Sequence, residues 1–326
     1  MTTASKATVA AWMAVGIAAI STSPILVRVA ALPALALAFW RCFAGAALLA
    51  PFARRWAGGE RAEMTRLLAA GVFLAVHFAL WNASLALTSV AASTMLVSCS
   101  PLFVGLGGRL LGEAPSRRAW LGIAVAVAGA AVIGLGDAGA GQPGGPRSTG
   151  ALPTGGPPWG PPNPPGPWGS PDPSGALLGD ALAFAGSAAL AGYLLLGRAA
   201  RRRLPVTTYA ASVYGVAAAV LLPACLLTGA ALGGYRAGSW LALAAVVAGP
   251  QLLGHTVFNG LLARVSATVV AVAILAEPVG ATALAWLLLD ELPAAAFWLG
   301  APLVLAGVWL TVTGERERVG TAPAPP

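Results

Sequence analysis

Charged residues are scarce in this chain of 326 residues, where Asp, Glu, Lys and Arg together make up 9% and hydrophobic residues 58%. A globular domain carries about 25% charged residues, so this composition is typical of a membrane protein. Histidine and cysteine are also rare, with two and three residues, and Cys42, Cys99 and Cys225 all lie within apolar runs. Their scarcity argues against a metal site or a disulfide framework.

Signatures of catalysis and of ATP use are missing from the sequence. It has no Gly-x-Ser-x-Gly motif, no two histidines with an acid at metal-binding spacing, and no Gly-x-x-x-x-Gly-Lys phosphate loop. These absences disfavour an intramembrane enzyme and direct drive by ATP. No cofactor is predicted.

Ten apolar runs follow one another along the chain, each long enough to cross about 30 Å of hydrocarbon as a helix. They cover roughly residues 8–28, 34–53, 67–87, 90–111, 118–136, 176–197, 207–229, 238–259, 266–289 and 295–313. We therefore expect an all-α membrane protein with ten transmembrane helices.

Residues 137–175 separate the fifth run from the sixth and contain twelve prolines. Proline has no backbone N–H and breaks both helices and sheets, so this segment is predicted to be a disordered linker. The predicted organisation is a first five-helix repeat at 8–136, the linker, a second repeat at 176–313 and a tail at 314–326.

The same set of residues, Glu, Trp and Gly at fixed spacing, occurs in both halves of the sequence, and we call each copy a block. Glu113 precedes Trp120 by seven residues and Gly129 by sixteen, and the same distances separate Glu291 from Trp298 and Gly307. Every member of the first block is thus related to its counterpart by one constant offset, which indicates an internal duplication. In a membrane chain, duplication is the usual ground plan of a secondary transporter.

Basic residues lie unevenly between the runs. The even loops and both tails hold fifteen: Lys6, Arg54, Arg55, Arg61, Arg66, Arg109, Arg117, Arg118, Arg198, Arg201, Arg202, Arg203, Arg264, Arg316 and Arg318. The odd loops hold only Arg28, Arg147 and Arg236. The positive-inside rule then places both termini in the cytoplasm and the linker outside. Because each half has five helices, the second half must be inverted relative to the first.

The same basic residues give the chain its net charge of +8. They never alternate with exposed aromatics, so no nucleic-acid partner is predicted; the expected surroundings are a lipid bilayer. One lysine beside eighteen arginines is typical of a GC-rich bacterial genome, which favours a bacterial inner membrane. Both a monomer and a homodimer are compatible with the sequence.

The chain resembles the drug/metabolite transporter superfamily, in its ten-helix form with two EamA domains. The matching residues are Phe39-Trp40-Arg41, Pro101, Glu277-Pro278 and the two blocks that begin at Glu113 and Glu291. The resemblance covers both halves and leaves out the proline-rich linker, which is unusually long for such proteins. It implies transport of small solutes, often export of amino acids, other metabolites or drugs, but it does not identify the cargo or the direction.

Four ionisable residues are expected at mid-membrane, away from the loops: Arg41, His77, His255 and Glu277. Such groups are costly in lipid and usually face a cavity or a partner. Arg41 either anchors the second helix or receives a carboxylate of the cargo. The two histidines are separated by the same offset as the doubled block, and either contact cargo or form interhelical hydrogen bonds.

Glu277 is the only acidic residue well inside a run. A permanently ionised carboxylate there costs several kcal/mol unless it is paired or wetted, so alternation between a protonated and an ion-bound state is expected. Glu277 is thus a candidate proton site, with a role as counter-ion of Arg41 as the alternative. Trp81, Asn82 and Asn259 complete a candidate lining.

Pro101 and Pro278 are candidate kinks or gating points, because a proline leaves a carbonyl free in the preceding turn. Taken together, these features favour a secondary transporter, with proton-coupled export of amino acids or related amphipathic compounds as the leading hypothesis. An importer or facilitator on the same fold is the alternative, and an intramembrane enzyme is the least favoured.

Overall fold

The computed structural model describes residues 3–53, 61–84, 87–88, 90–110, 112–139, 173–289, 293 and 295–321. Within these ranges every regular element is a helix. The helices are α1 (Thr3–Ser21), α2 (Ser23–Ala30), α3 (Ala34–Leu49), α4 (Arg61–Ser84), α5 (Val90–Val97), α6 (Ser100–Leu110), α7 (Arg117–Gly139), α8 (Pro173–Arg201), α9 (Val206–Thr228), α10 (Ala237–Val246), α11 (Thr256–Leu261), α12 (Ala267–Ile274), α13 (Glu277–Leu289) and α14 (Ala295–Thr321). A short 3₁₀ turn, Ala50–Phe52, follows α3, and a π-helical segment, Val247–His255, joins α10 to α11.

Nine helical stretches among these residues are long and apolar enough to cross a bilayer. They are Ala7–Val27, Ala34–Phe52, Arg61–Ser84, Arg117–Leu135, Gly175–Arg201, Val206–Thr228, Ala237–Leu261, Ala267–Leu284 and Ala295–Glu315. A shorter apolar stretch, Met95–Leu110, which spans the end of α5 and all of α6, lies in the predicted fourth span. In lipid a helix satisfies its backbone hydrogen bonds internally, and the predicted all-α membrane fold is confirmed.

Three of the predicted spans are interrupted along their length. Breaks separate α1 from α2, α5 from α6, and α12 from α13. Pro24, Pro101 and Pro278 each lie in the first turn of the helix that resumes. That position suits proline, because the N–H groups of a first turn have no partner within the helix. The two prolines predicted as kinks thus lie at helix starts, just after the breaks.

Glycines join α7 to α14, the fifth helix of each half. A Cβ atom on Gly122 would lie 2.7 Å from the carbonyl oxygen of Gly307, and one on Gly129 would lie 2.7 Å from that of Gly300. Residue numbers rise along α7 as those of its contacts on α14 fall, so the two helices are antiparallel. The offset that relates the two blocks also takes Gly122 to Gly300 and Gly129 to Gly307. The doubled block therefore packs against itself about a two-fold axis, as an inverted repeat requires.

The other large interfaces also unite one half with the other. Helix α3 packs against α9, α4 against α8, and α1 against the π-helical segment. The buried centre between them holds Tyr193, Tyr209 and Tyr214 together with Leu74 and Phe78. The site described below lies in a space lined by residues of α1–α8, the π-helical segment and α11–α13.

Helix extends beyond three of the predicted segment boundaries. Helix α7 continues to Gly139 and α8 begins at Pro173, so both ends of the predicted linker 137–175 are helical. Pro173 is compatible with helix because it stands at the first position of α8. The rest of the linker, 140–172, lies outside the described residues. Helix α14 likewise continues to Thr321, into the predicted tail.

Ion pairs connect the two halves at one end of the bundle, where α4 begins and α6 and α8 end. Glu113 lies 3.7 Å from Arg198, between Oε2 and Nε, and also pairs with Arg202. Nη1 of Arg203 lies 3.2 Å from Oε1 of Glu63. Both glutamates belong to the first half and all three arginines to the second. We call this the arginine-rich end.

Candidate functional site

Arg41 lies in α3 and is almost completely buried, with 1% of its surface exposed. Its Nε donates a hydrogen bond of 2.8 Å to Oε1 of Gln251, which belongs to the π-helical segment of the other half. The guanidinium carbon lies 4.3 Å from the centre of the Phe78 ring, within the range of a cation–π contact. The Nη2 atom is buried and has no hydrogen-bond partner among the described residues. The Nε of the guanidinium is therefore held by Gln251, whereas the Nη2 is available to donate hydrogen bonds.

Glu277 is the first residue of α13, directly after the break in the ninth span. The hydroxyl of Ser21 donates to its backbone carbonyl at 3.3 Å. Within the described part of the chain, its carboxylate takes part in no hydrogen bond, and no ion pair within 4.0 Å joins it to Arg41. Its role as counter-ion of Arg41 thus finds no direct contact in this conformation.

Two cavities meet at Glu277. The smaller has a volume of about 50 Å³ and is lined by Arg41, His77, His255 and Glu277, among others. The larger has a volume of about 150 Å³ and extends past Pro278. The two cavities share five lining residues: Trp81, Val97, Leu190, Ile274 and Glu277. Glu277 therefore faces both the small chamber that holds the ionisable side chains and the larger chamber beside it.

The two histidines enter the smaller cavity from opposite halves. Nδ1 of His77 lies 2.9 Å from the carbonyl oxygen of Gly186 in α8, so this nitrogen donates the hydrogen bond. His255 is less buried, and its ring meets that of Phe78 edge to face, with centroids 5.6 Å apart. His77 thus forms the interhelical hydrogen bond that the sequence left as one alternative, while also lining the cavity.

Trp81 is one of the five residues that line both cavities. Its ring stacks parallel to that of His77, with 6.2 Å between centroids and 3° between planes. Its indole Nε1 is buried and has no hydrogen-bond partner among the described residues. Because the indole N–H can only donate, this atom is suited to a hydrogen-bond acceptor on a ligand.

The structure does not bring the two asparagines of the predicted lining into either cavity. The Nδ2 of Asn82 donates to the carbonyl of Ala34 at 3.0 Å. The Oδ1 of Asn259 accepts a hydrogen bond of 2.5 Å from Tyr193, and its Nδ2 donates to the hydroxyl of Tyr214 at 3.3 Å. Both amides therefore form hydrogen bonds between helices, as buried polar side chains do in membrane proteins.

Of the two candidate gating prolines, Pro278 lines the larger cavity whereas Pro101 does not. The residue before Pro101, Ser100, does line it, together with Ser98 and Thr282. The breaks in the fourth and ninth spans thus both contribute to the wall of this chamber.

Sequence reasoning missed Gln251, Phe78 and the hydroxyl groups of the larger cavity. Gln251 carried a signal, since a polar amide within an apolar run meets the same criterion that selected Asn82 and Asn259. Phe78 and Ser98 carried none, because aromatic and small polar residues are common in membrane helices.

The combined site joins one arginine and one carboxylate that are not paired with each other to a wall of aromatic and aliphatic groups. Its unpartnered buried atoms, on Arg41 and Trp81, are donors. Such a site can take a ligand with an anionic group, a cationic group and an apolar body.

Comparisons with known proteins agree with this architecture. A family model described as the EamA-like transporter family matches residues 7–135 and 177–313, which is most of the chain. No curated protein matches the chain significantly. A solved crystal structure is similar in fold, with a TM-score of 0.71 over 96% of this chain and 99% of that chain, at 18% sequence identity. The resemblance seen in the sequence and its two repeat halves are confirmed. This multi-pass membrane protein belongs to the EamA-like transporter family.

Proposed function

We propose that the protein is a proton-coupled secondary transporter that exports amino acids or related small amphipathic compounds across the bacterial inner membrane. The observation that carries the proposal is the placement of Arg41 and Glu277 around one cavity inside the bundle without an ion pair between them. Two opposite charges that are unpaired inside a membrane protein are costly, and a ligand that contacts both would lower that cost.

A zwitterion has the groups that this arrangement requires. Its carboxylate would accept from Arg41 and from the indole of Trp81, whose buried donors have no partner among the described residues. Its ammonium would contact Glu277. The larger cavity, lined by Met95, Ile133 and Leu275 among others, would take the apolar side chain.

The ion pairs indicate which side of the membrane is closed in this conformation. By the positive-inside rule the arginine-rich end is cytoplasmic, and the pairs of Glu113 and Glu63 with α8 and its flank close it. The cavities lie toward the opposite end, since Trp81 is near the end of α4 that is far from Arg61. This conformation would then be the one that releases cargo to the exterior.

Glu277 is the proposed coupling group. The same carboxylate faces the chamber of Arg41 and the larger chamber, so cargo and a proton would compete for it. Competition at one acid is sufficient for exchange: a proton that enters releases the cargo, and cargo that binds releases the proton.

Purified protein in proteoliposomes tests the proposal, with a panel of labelled amino acids and related amphipathic compounds. An exporter that exchanges cargo for protons accumulates label in vesicles that are acidic inside. A proton-coupled importer accumulates it only when the exterior is acidic, and a facilitator equilibrates it without either gradient.

Two variants link the result to the cavity. Arg41→Gln is expected to raise the KM for carboxylate-bearing cargo at least tenfold, the loss typical of a charged hydrogen bond. Asn82→Ala is the control. It removes a polar side chain that is buried, as Arg41 is, but lies outside the cavity, so it is expected to leave that KM unchanged. If no compound of the panel exchanges in the wild type, the proposed function is wrong.

A further inference from the structure

Gln251 occupies an unusual position beside the site. Its side chain has no exposed surface, and its amide oxygen accepts from Nε of Arg41 at 2.8 Å. Because Nε of arginine can only donate, the oxygen must face Arg41 and the amide nitrogen must point away. That nitrogen, Nε2, is buried and has no partner within the described ranges. A buried donor without a partner is costly and rare in folded proteins, which makes the position of this amide unusual.

The backbone around Gln251 is held by a polar network from two other helices. Its carbonyl accepts the backbone N–H of Thr256, five residues later, as the π-helical register requires. The hydroxyls of Thr256 and Tyr214 lie 3.2 Å and 3.4 Å from the same carbonyl oxygen. Tyr214 in turn accepts from Asn259. The π-helical segment thus fixes where the Gln251 side chain begins.

Space on α3 is reserved for this side chain. Gly45 lies one turn after Arg41, and a Cβ atom built on it would be 3.1 Å from Cγ of Gln251. The absence of a side chain there lets the amide reach the guanidinium. The contact between Arg41 and Gln251 therefore depends on residues of both halves, on the glycine and on the π-helical register.

We propose that Gln251 is a positioning residue that holds Arg41 by its Nε and leaves the Nη2 end free for the anionic group of the cargo. This inference rests on the proposed function and adds a determinant of specificity to it. A neutral amide suits the task because it fixes the guanidinium without neutralising it. A carboxylate in the same place would form an ion pair with Arg41 and would compete with the cargo for its charge.

The experiment measures exchange of labelled L-phenylalanine in proteoliposomes, with three unlabelled competitors. They are L-phenylalanine itself, L-phenylalaninamide, which lacks the carboxylate, and 3-phenylpropionate, which lacks the ammonium group. The variants are Gln251→Glu, which keeps the shape and adds a charge, and Gln251→Met, which keeps the volume and removes the acceptor.

In Gln251→Glu, the half-inhibitory concentrations of L-phenylalanine and 3-phenylpropionate are expected to rise roughly tenfold or more, whereas that of L-phenylalaninamide stays within about twofold. Gln251→Met is expected to raise the half-inhibitory concentrations of the two carboxylate competitors relative to that of L-phenylalaninamide, but by a smaller factor. The factor is smaller because Arg41 keeps its charge and loses only its fixed orientation. A purely structural role would shift all three competitors together.

Each outcome decides between the hypotheses. If the ratio of carboxylate to amide inhibition is the same in both variants as in the wild type, Gln251 does not position Arg41. A uniform loss for all three competitors also overturns the proposal. Wild-type protein that shows no saturable exchange of phenylalanine overturns the placement of an aromatic amino acid in this cavity and the role of Gln251 in selecting it, whereas the proposed function fails only if no compound of the panel exchanges.

Discussion

A single methyl group at Gly129 is expected to weaken the contact between the two halves. A Cβ atom there would lie 2.7 Å from both the carbonyl oxygen of Gly300 and the backbone nitrogen of Val304. These are backbone atoms of α14, so no side-chain rotation can relieve the overlap. The two helices would have to separate by several tenths of an ångström along a close contact.

The cost follows from overpacking, which is typically about 1–3 kcal/mol, or a factor of roughly 5–150 in the equilibrium constant. Replacement of a helical glycine by alanine also stabilises the helix itself by up to about 1 kcal/mol. Gly215→Ala in α9 is a matched control, because its Cβ would lie 3.9 Å from that of Ala46, an ordinary contact. The helix term is common to both variants, so their difference isolates the overlap.

Heating of the purified variants in detergent, followed by gel filtration, measures the fraction that remains monodisperse. Gly129→Ala is expected to lose monodispersity at a lower temperature than Gly215→Ala. Combined with Gly300→Ala it should cost less than the two changes separately, because one separation of the helices accommodates both methyl groups. If Gly129→Ala is as stable as Gly215→Ala, the glycine contact does not join the halves as described.

Three further predictions concern coupling, topology and the linker. Glu277→Gln is expected to abolish uphill transport under a proton gradient but to retain downhill counterflow, because Gln mimics the protonated acid; uphill transport by a well-expressed variant would refute the coupling role. Reporter fusions after Arg66 and Arg203 should indicate the cytoplasm and fusions within 150–160 the exterior, and a cytoplasmic signal from the latter would contradict the predicted orientation. Deletion of most of 140–172, with a flexible bridge retained, should leave transport rates unchanged, and complete loss at normal expression would show that the segment has a function.

The positions of the spans could be predicted from the sequence, because a long apolar run in lipid must satisfy its own backbone hydrogen bonds and a helix does so within one segment. The breaks were harder to predict, since the same hydropathy describes a continuous and an interrupted helix. Pro101 and Pro278 signalled two of them, but Pro24, at the break before α2, lies near the end of its predicted span and the sequence analysis did not single it out.

The criterion that identified site candidates was a polar residue within an apolar run. It selected Arg41, His77 and Glu277, which the structure brings to one cavity, although their roles stay predictions. It also selected Asn82 and Asn259, whose amides form hydrogen bonds between helices and do not line either cavity. Hydropathy cannot separate these two uses, because both satisfy a buried polar group. The choice depends on helix rotation, which only the packing determines.

The glycine contacts between α7 and α14 have a consequence for how the two halves can differ. If the halves were separate identical chains paired about the same two-fold axis, every charge in the central cavity would occur twice. At the offset that relates the two blocks, Arg41 corresponds to Ala219 and Glu277 to Cys99, so neither charge has a charged counterpart in this chain. One continuous polypeptide keeps the symmetric frame of glycines while it allows a single cation and a single acid at its centre. A cavity with two of each would have no single cationic side and no single acidic side. The covalent join is thus what permits a polarised site inside a symmetric scaffold.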